Sequence, residues 1–139
     1  MAIIKFKKMT KILLVVFLTS ALLNKNSPCN IQKVYGEWIF IKSYSGELSS
    51  IKGLGDNILK TKFGLITMTY SKDGQYTNDQ GDYVTKGKFV IDKGKCLIKE
   101  SEKSNSKSLK NNFKILHVDD KYLLIYNIGQ DYTYFYKRK

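Results

Sequence analysis

From residue 34 onward, the chain consists of short apolar stretches that are separated by turn-forming residues roughly every 8 to 14 positions. This spacing leaves no room for helices of ordinary length and is typical of an all-β sandwich or barrel. Asp73-Gly74 and the segment 92–94 have the composition of tight hairpin turns. The only proline, Pro28, precedes the first stretch, as the hydrogen bonding of a sheet requires. The fold is therefore predicted to be all-β.

Eight strands can be assigned to these stretches, and most of the links between them have the length of a hairpin. The strands are predicted at residues 34–44, 65–70, 75–78, 83–91, 95–102, 112–118, 122–127 and 132–137. Strands joined in this way form an up-and-down antiparallel meander, and eight strands can close into a barrel whose interior holds side chains or one small ligand. The polar, aperiodic segment 103–110 is predicted to be a mobile loop.

Residues 1–21 have the three parts of a secretory signal peptide. A basic start is followed by an apolar run, residues 12–18, and by small residues at Thr19 and Ala21. A membrane-spanning helix needs about 20 apolar residues, and polar residues interrupt this run too early. The predicted organisation is a signal peptide at 1–21, a linker at 22–33 and one barrel domain at 34–139. The mature protein is expected to be secreted or periplasmic, without a transmembrane span.

The strongly basic balance of the chain raises the question of a nucleic-acid partner. The formal net charge is +12, and removal of the leader lowers it to +8. Phosphate recognition favours arginine, but Arg138 is the only arginine and the lysines are scattered instead of clustered. Lysines at turns and strand edges keep a β-protein soluble and prevent pairing between molecules. No nucleic-acid partner is expected.

Two cysteines, Cys29 and Cys96, leave two interpretations open. An oxidising compartment favours a disulfide between them. Alternatively, Cys29 could carry the lipid of a bacterial lipoprotein, although the residues 26–28 before it do not match the small residues of such signals. The disulfide is the preferred prediction.

Four features of the chain together resemble a bacterial lipocalin-like domain, which is a small secreted β-barrel of the calycin type. They are Gly36-x-Trp38 on the first predicted strand, the Asp-Gly turn, the stretch 87–91 and the terminal stretch 132–138. The resemblance covers nearly all of the chain after the leader. It implies that Trp38 seals the floor of the barrel and that Arg138 packs over it in a cation–π contact.

This resemblance implies an exported binding protein that holds a small hydrophobic or aromatic molecule in the barrel. The candidate wall residues lie on the apolar faces of the alternating strands: Met68, Tyr70, Phe89, Ile91, Phe113 and Ile115. The alternative is a secreted interaction or inhibitor module with a filled barrel, which would contact a protein partner through loops 45–57 and 103–110. Interior volume separates the two, since ligand sites have at least about 300 Å³.

Residues that could carry catalysis or bind a metal are few. His117 is the only histidine and is predicted to be a half-buried structural or surface residue. Asp73, Asp79 and Asp82 occupy turns, but their spacing misses the pattern of a calcium-binding loop.

Glu100 and Glu102 lie on the same side of one predicted strand, about 6.5 Å apart by the rise of a strand. That separation is in the range of a glycosidase pair. Lysines flank both residues, however, and the two carboxylates are expected to be exposed and solvated. The chain is therefore expected to have no enzyme activity, no cofactor and no metal.

Overall fold

The computed structural model describes residues 29–104 and 107–139, so the predicted signal peptide at 1–21 lies outside the described residues. A short 3-10 helix, Ile31–Lys33, precedes the first strand. The strands are β1 Gly36–Ser45, β2 Lys60–Thr61, β3 Gly64–Leu65, β4 Thr67–Tyr70, β5 Gln75–Asp79, β6 Val84–Asp92, β7 Leu97–Ser104, β8 Lys107–Val118, β9 Tyr122–Asn127 and β10 Tyr132–Arg138. Within this part of the chain, no helix has the length and apolar character needed to cross a membrane.

Eight of these strands form a closed barrel in the order β1-β10-β9-β8-β7-β6-β5-β4. Every neighbouring pair is antiparallel, and β1 closes the barrel by pairing with β4 on one side and with β10 on the other. The predicted all-β fold with an eight-stranded antiparallel barrel is thus confirmed. The closed arrangement leaves none of the eight strands with an open edge, which is how barrels avoid pairing with other molecules.

Two segments differ from the prediction. Most of the predicted loop 103–110 is strand, because β7 and β8 continue their pairing out to Ser104 and Lys107. The side chains of residues 108–110 are exposed, so this part of β8 has no buried apolar face that a sequence pattern could reveal. The small hairpin of β2 and β3 was also not predicted, and it lies apart from the barrel sheet.

The interior of the barrel is packed by apolar and aromatic side chains from every barrel strand. Its centre includes Trp38, Tyr70, Ile98, Leu123 and Ile125, all of them fully buried. Alternation along the strands accounts for this core, since every second residue points inward.

A second apolar cluster lies on the outer wall of the barrel. Ile41, Leu124 and Phe135 point outward from β1, β9 and β10, and Leu48 and Leu54 of the loop after β1 pack against this cluster. The loop is also tied down by hydrogen bonds, because the Thr133 hydroxyl donates to the Gly46 carbonyl (2.6 Å) and the Tyr122 hydroxyl donates to Asp56 (2.8 Å). The segment 45–57 is therefore a cover on the barrel wall, and its proposed contact with a protein partner stays a prediction.

Candidate ligand-binding site

The floor of the barrel is built from the first and last barrel strands. Trp38 and Arg138 are register partners of β1 and β10, and the guanidinium carbon Cζ lies 3.7 Å from the centroid of the indole ring. Arg138 also donates from Nη1 to the Tyr35 carbonyl (2.8 Å) and from Nη2 to the Lys33 carbonyl (2.6 Å). Trp38 is fully buried, and its indole N–H donates to the Val34 carbonyl (2.8 Å). The guanidinium thus ties the segment before β1 to the end of β10.

Gly36 is required at this floor for two reasons. Its φ is +132°, which side-chain-bearing residues rarely adopt. A Cβ at this position would also lie 2.5 Å from Nη1 of Arg138. In the pattern Gly36-x-Trp38, the glycine therefore leaves space for the Arg138 guanidinium, and the tryptophan provides the ring on which it stacks.

A cavity of about 300 Å³ lies at the opposite end of the barrel. Its lining combines residues from the ends of β5, β7 and β9 with residues from the starts of β4, β6, β8 and β10. Amide and hydroxyl side chains make up much of the wall: Asn78, Gln80, Thr85, Asn111, Asn127 and Gln130. Gln80 and Gln130 are exposed at the rim, whereas Asn127 is buried. The cavity is therefore polar and can satisfy several hydrogen bonds of a ligand.

Glu100 is the buried carboxylate of this cavity. Glu100 is only 5% exposed. Strand β7 is paired on both sides in the closed barrel, and Ile98, Glu100 and Glu102 share its inward face. The prediction of an exposed, solvated Glu100 is therefore wrong, while Glu102 is half-buried. Oε1 of Glu100 accepts a hydrogen bond from the Tyr70 hydroxyl at 2.6 Å.

Burial raises the pKa of Glu100 to about 7, and the nearby Glu102 carboxylate acts in the same direction. The hydrogen bond from Tyr70 opposes this effect, since it stabilises the ionised form. Glu100 is thus a titratable group near neutral pH at the inner end of a polar cavity.

Tyrosines surround this carboxylate. Burial first, and then the negative charge of Glu100, raise the pKa of Tyr76 to about 12 and raise the pKa of Tyr136 further. Tyr76 lies against Gly87 of the neighbouring strand, where any side chain would collide with its ring. All of these phenols are neutral at physiological pH, so they present dipoles and ring faces to the cavity and no charge.

An aromatic extension adjoins the polar cavity. This smaller space of about 150 Å³ shares two amides and two tyrosines with the main cavity and adds Phe40 and Ile66; the shared residues are Asn78, Gln80, Tyr134 and Tyr136. The Phe40 ring meets both tyrosine rings, with centroids 6.4 Å from Tyr134 and 5.7 Å from Tyr136. The site therefore joins a carboxylate end to a largely aromatic end that also carries two amide side chains.

The six predicted wall residues divide between the cavity and the packed core. Met68 and Phe113 line the cavity. Tyr70, Phe89, Ile91 and Ile115 belong to the core or pack against it. Their role as ligand contacts stays a prediction for all six, and two of them line the cavity described here.

The polar half of the lining could not be found from apolar residues alone. Asn111 lies two positions before Phe113 and therefore on the same face of β8, and Glu100 has the same relation to Ile98 on β7. A prediction that assigns only apolar residues to the interior misses the polar residues that lie on the same face of the strand. The two-residue period was the signal that could have identified these polar residues.

The other candidate residues lie outside this cavity. His117 is half-buried, and its Nε2 lies 2.7 Å from Asp119 Oδ2 at the turn after β8. Asp73 and Asp79 accept backbone N–H groups in their turns, from Gln75 (3.1 Å) and Gly81 (2.8 Å). In the described part of the chain, no group of three or more His, Cys, Asp or Glu residues is arranged to hold a metal ion.

The two cysteines meet near the barrel floor. Cys29 is 4% exposed and Cys96 is buried beside it, both as free thiols in this structure. Burial, followed by contact with Cys96, raises the pKa of Cys29 to about 12. A thiol in this setting reacts slowly, because only the thiolate is nucleophilic.

We expect a Cys29–Cys96 disulfide to form in the protein purified from an oxidising compartment, since the two side chains are neighbours. Titration of the denatured, unreduced protein with a thiol reagent should find almost no free thiol. The same titration after reduction is the control and should find both thiols. Two thiols before reduction, or a lipid mass on Cys29, would contradict this expectation.

Comparison with known proteins leaves the site to be interpreted from its own geometry. A scan of the chain against models of known protein families gives no match, and a search of curated proteins gives none either.

Proposed function

We propose that this protein is an exported, lipocalin-like binding protein that holds one small molecule in the cavity opposite Trp38. The observation that carries the proposal is the cavity of about 300 Å³ with a buried carboxylate at its inner end. This volume is at the lower bound for small-molecule sites, and the residues around it combine hydrogen-bonding groups with aromatic surface, as such sites do.

The lipocalin-like relation is part of the same proposal. It is supported by the closed eight-stranded barrel and by the stacking of Arg138 on Trp38, for which Gly36 leaves the space. Export is supported by the basic and apolar pattern of residues 1–21. Binding without catalysis is proposed because, among the described residues, the ionisable side chains that line the cavity are two glutamates and three tyrosines, without a serine, cysteine, lysine or histidine beside them.

The chemistry of the lining favours a ligand with a polar group over a wholly hydrophobic one. A wholly apolar molecule would offer Glu100 no donor beyond the Tyr70 hydroxyl, and a buried carboxylate with so few hydrogen bonds is costly. A molecule with an apolar or aromatic body and one polar end would match both parts of the cavity.

The test uses three probes of similar size: 2-phenylethylamine, 2-phenylethanol and phenylacetate. We expect at least one of them to bind and to shift the NMR signals of residues in the cavity wall. Thr85 points inward near the open end of the cavity, so Thr85→Trp is expected to fill the space and reduce binding by about tenfold or more.

Lys86→Trp is the matched control, because Lys86 is the next residue on β6 and points to solvent. It is expected to leave binding unchanged. Failure of all three probes to bind the wild-type protein, or equal binding by the Thr85→Trp variant, would overturn the proposed function.

A further inference from the structure

We propose that the ligand is a small organic cation with a primary ammonium group, and that Glu100 is the residue that receives this group. This inference rests on the proposed function and adds the chemical class of the ligand.

The first argument is the sign of the charge in the cavity. Only Glu100 and Glu102 among the lining residues carry charge at neutral pH, and no lysine or arginine lines this space within the described chain. The chain as a whole has a formal charge of +12, so the negative charge of the cavity is opposite in sign to the net charge of the chain. An anionic ligand would meet two carboxylates, whereas a cation would meet its counter-ion.

The second argument is the incomplete satisfaction of Glu100. A carboxylate can accept about four hydrogen bonds, and the described residues supply one, from Tyr70 to Oε1. An ionised carboxylate that is buried with one neutral partner is destabilised, and either a proton or a cation relieves this cost. A primary ammonium group has three donors and can reach Glu100 and a neighbouring amide oxygen together.

The third argument is the surface beyond the carboxylate. Phe113, Tyr134 and Phe40 form an aromatic wall, with the rings of Phe113 and Tyr134 6.3 Å apart. Such rings pack against an apolar body and also attract a cation to their faces. An amine attached to a short aromatic or aliphatic body therefore fits the two ends of the site.

The pH dependence of binding follows from the groups that face Glu100. These titratable groups are Tyr70 on β4, Tyr76 on β5, Glu102 on β7 and Tyr136 on β10. The tyrosines stay neutral below pH 8, so Glu100, with its pKa near 7, is the group that gains a proton as the solution becomes mildly acidic. A proton and an ammonium group compete for this carboxylate, and amine affinity should fall about tenfold between pH 8 and pH 6.

The experiment compares the three probes at pH 8 by NMR titration of the wild-type and variant proteins. We expect 2-phenylethylamine to bind about tenfold more tightly than 2-phenylethanol, since a charged hydrogen bond replaces a neutral one. Glu100→Gln should reduce this preference to about twofold or less and should remove the pH dependence. Glu102→Gln should reduce the preference only in part, because Glu102 lies nearer the solvent.

Glu37→Gln is the control variant, because it removes the same charge from the outer face of β1, where Glu37 pairs with Lys139 (2.6 Å). It should keep the full preference for the amine. Equal or tighter binding of the alcohol or the carboxylate would overturn the amine inference and leave ligand binding in place. A preference for the amine that persists in Glu100→Gln would overturn it too, whereas absence of binding by any probe overturns the proposed function as well.

Discussion

Replacement of Arg138 with alanine is expected to lower the free energy of unfolding by about 3 kcal/mol. The change removes the contact of the guanidinium with the Trp38 ring and two hydrogen bonds to the backbone carbonyls of Lys33 and Tyr35. It also opens the floor of the barrel to water. Because Trp38 is the only tryptophan, its emission should shift to the red and become accessible to iodide.

Two further variants make this result interpretable. Arg138→Lys should recover only part of the lost stability, because an ammonium group cannot stack flat on the ring or reach both carbonyls. Lys137→Ala is the control, since Lys137 points outward and forms only a partly exposed pair with Asp56, and it should change stability by less than about 0.5 kcal/mol. If Arg138→Ala behaved like this control and left the Trp38 spectrum unchanged, the floor would not be closed in the way described.

The second large effect concerns Glu100 and pH. Its pKa is raised from 4.5 to about 7 in the folded protein, so the folded state prefers the protonated carboxyl group. The stability that this preference contributes is fully present below pH 4.5 and is lost as the pH rises to about 7. The total loss is on the order of 3 kcal/mol. Glu100→Gln has no proton to lose and should therefore become more stable than the wild type by this amount at pH 8.

The measurement is urea unfolding of both proteins at several pH values between 4.5 and 8. The difference in the free energy of unfolding should be small at the acidic end and should grow as the pH rises. Glu37→Gln is the control for removing a carboxylate from a partly exposed ion pair, and it should change the stability by less than about 1 kcal/mol. A constant difference for Glu100→Gln would show that this carboxylate titrates like an exposed one.

The barrel could be predicted from the sequence because its signals are local and repeated. Turn residues divide the chain into strand-length pieces, and the strand predicted at 122–127 has the same bounds as β9. Apolar residues on both faces of the first strand could not be interpreted from the sequence alone. The structure supplies the reason, since Ile41 on the outer face is covered by the loop that contains Leu48 and Leu54.

The chemistry of the cavity was less predictable, because it depends on which strand face turns inward. The period of a strand predicts that Glu100 and Glu102 lie on the same side. It does not show whether that side faces the interior or the solvent, and the flanking lysines favoured the solvent. Only the pairing of β7 with both β6 and β8 decides this question. Amides such as Asn127 are similarly ambiguous, because the same residue type forms exposed turns elsewhere in the chain.

The pairing of β1 with β10 also bears on how the protein reaches its native state. These strands are the first and the last of the barrel in chain order, and Tyr35 and Arg138, which meet at the floor, are 103 positions apart. As the chain folds, β1 can pair with β4 and the strands from β4 to β9 can form a meander, but the ring stays open until β10 has joined it. Contacts between such distant residues form slowly, because a long loop must first be closed. Until then, β1 and β9, the two strands that flank β10 in the closed barrel, present unpaired edges, and a chaperone that holds the chain at this stage would protect the segments most prone to aggregation.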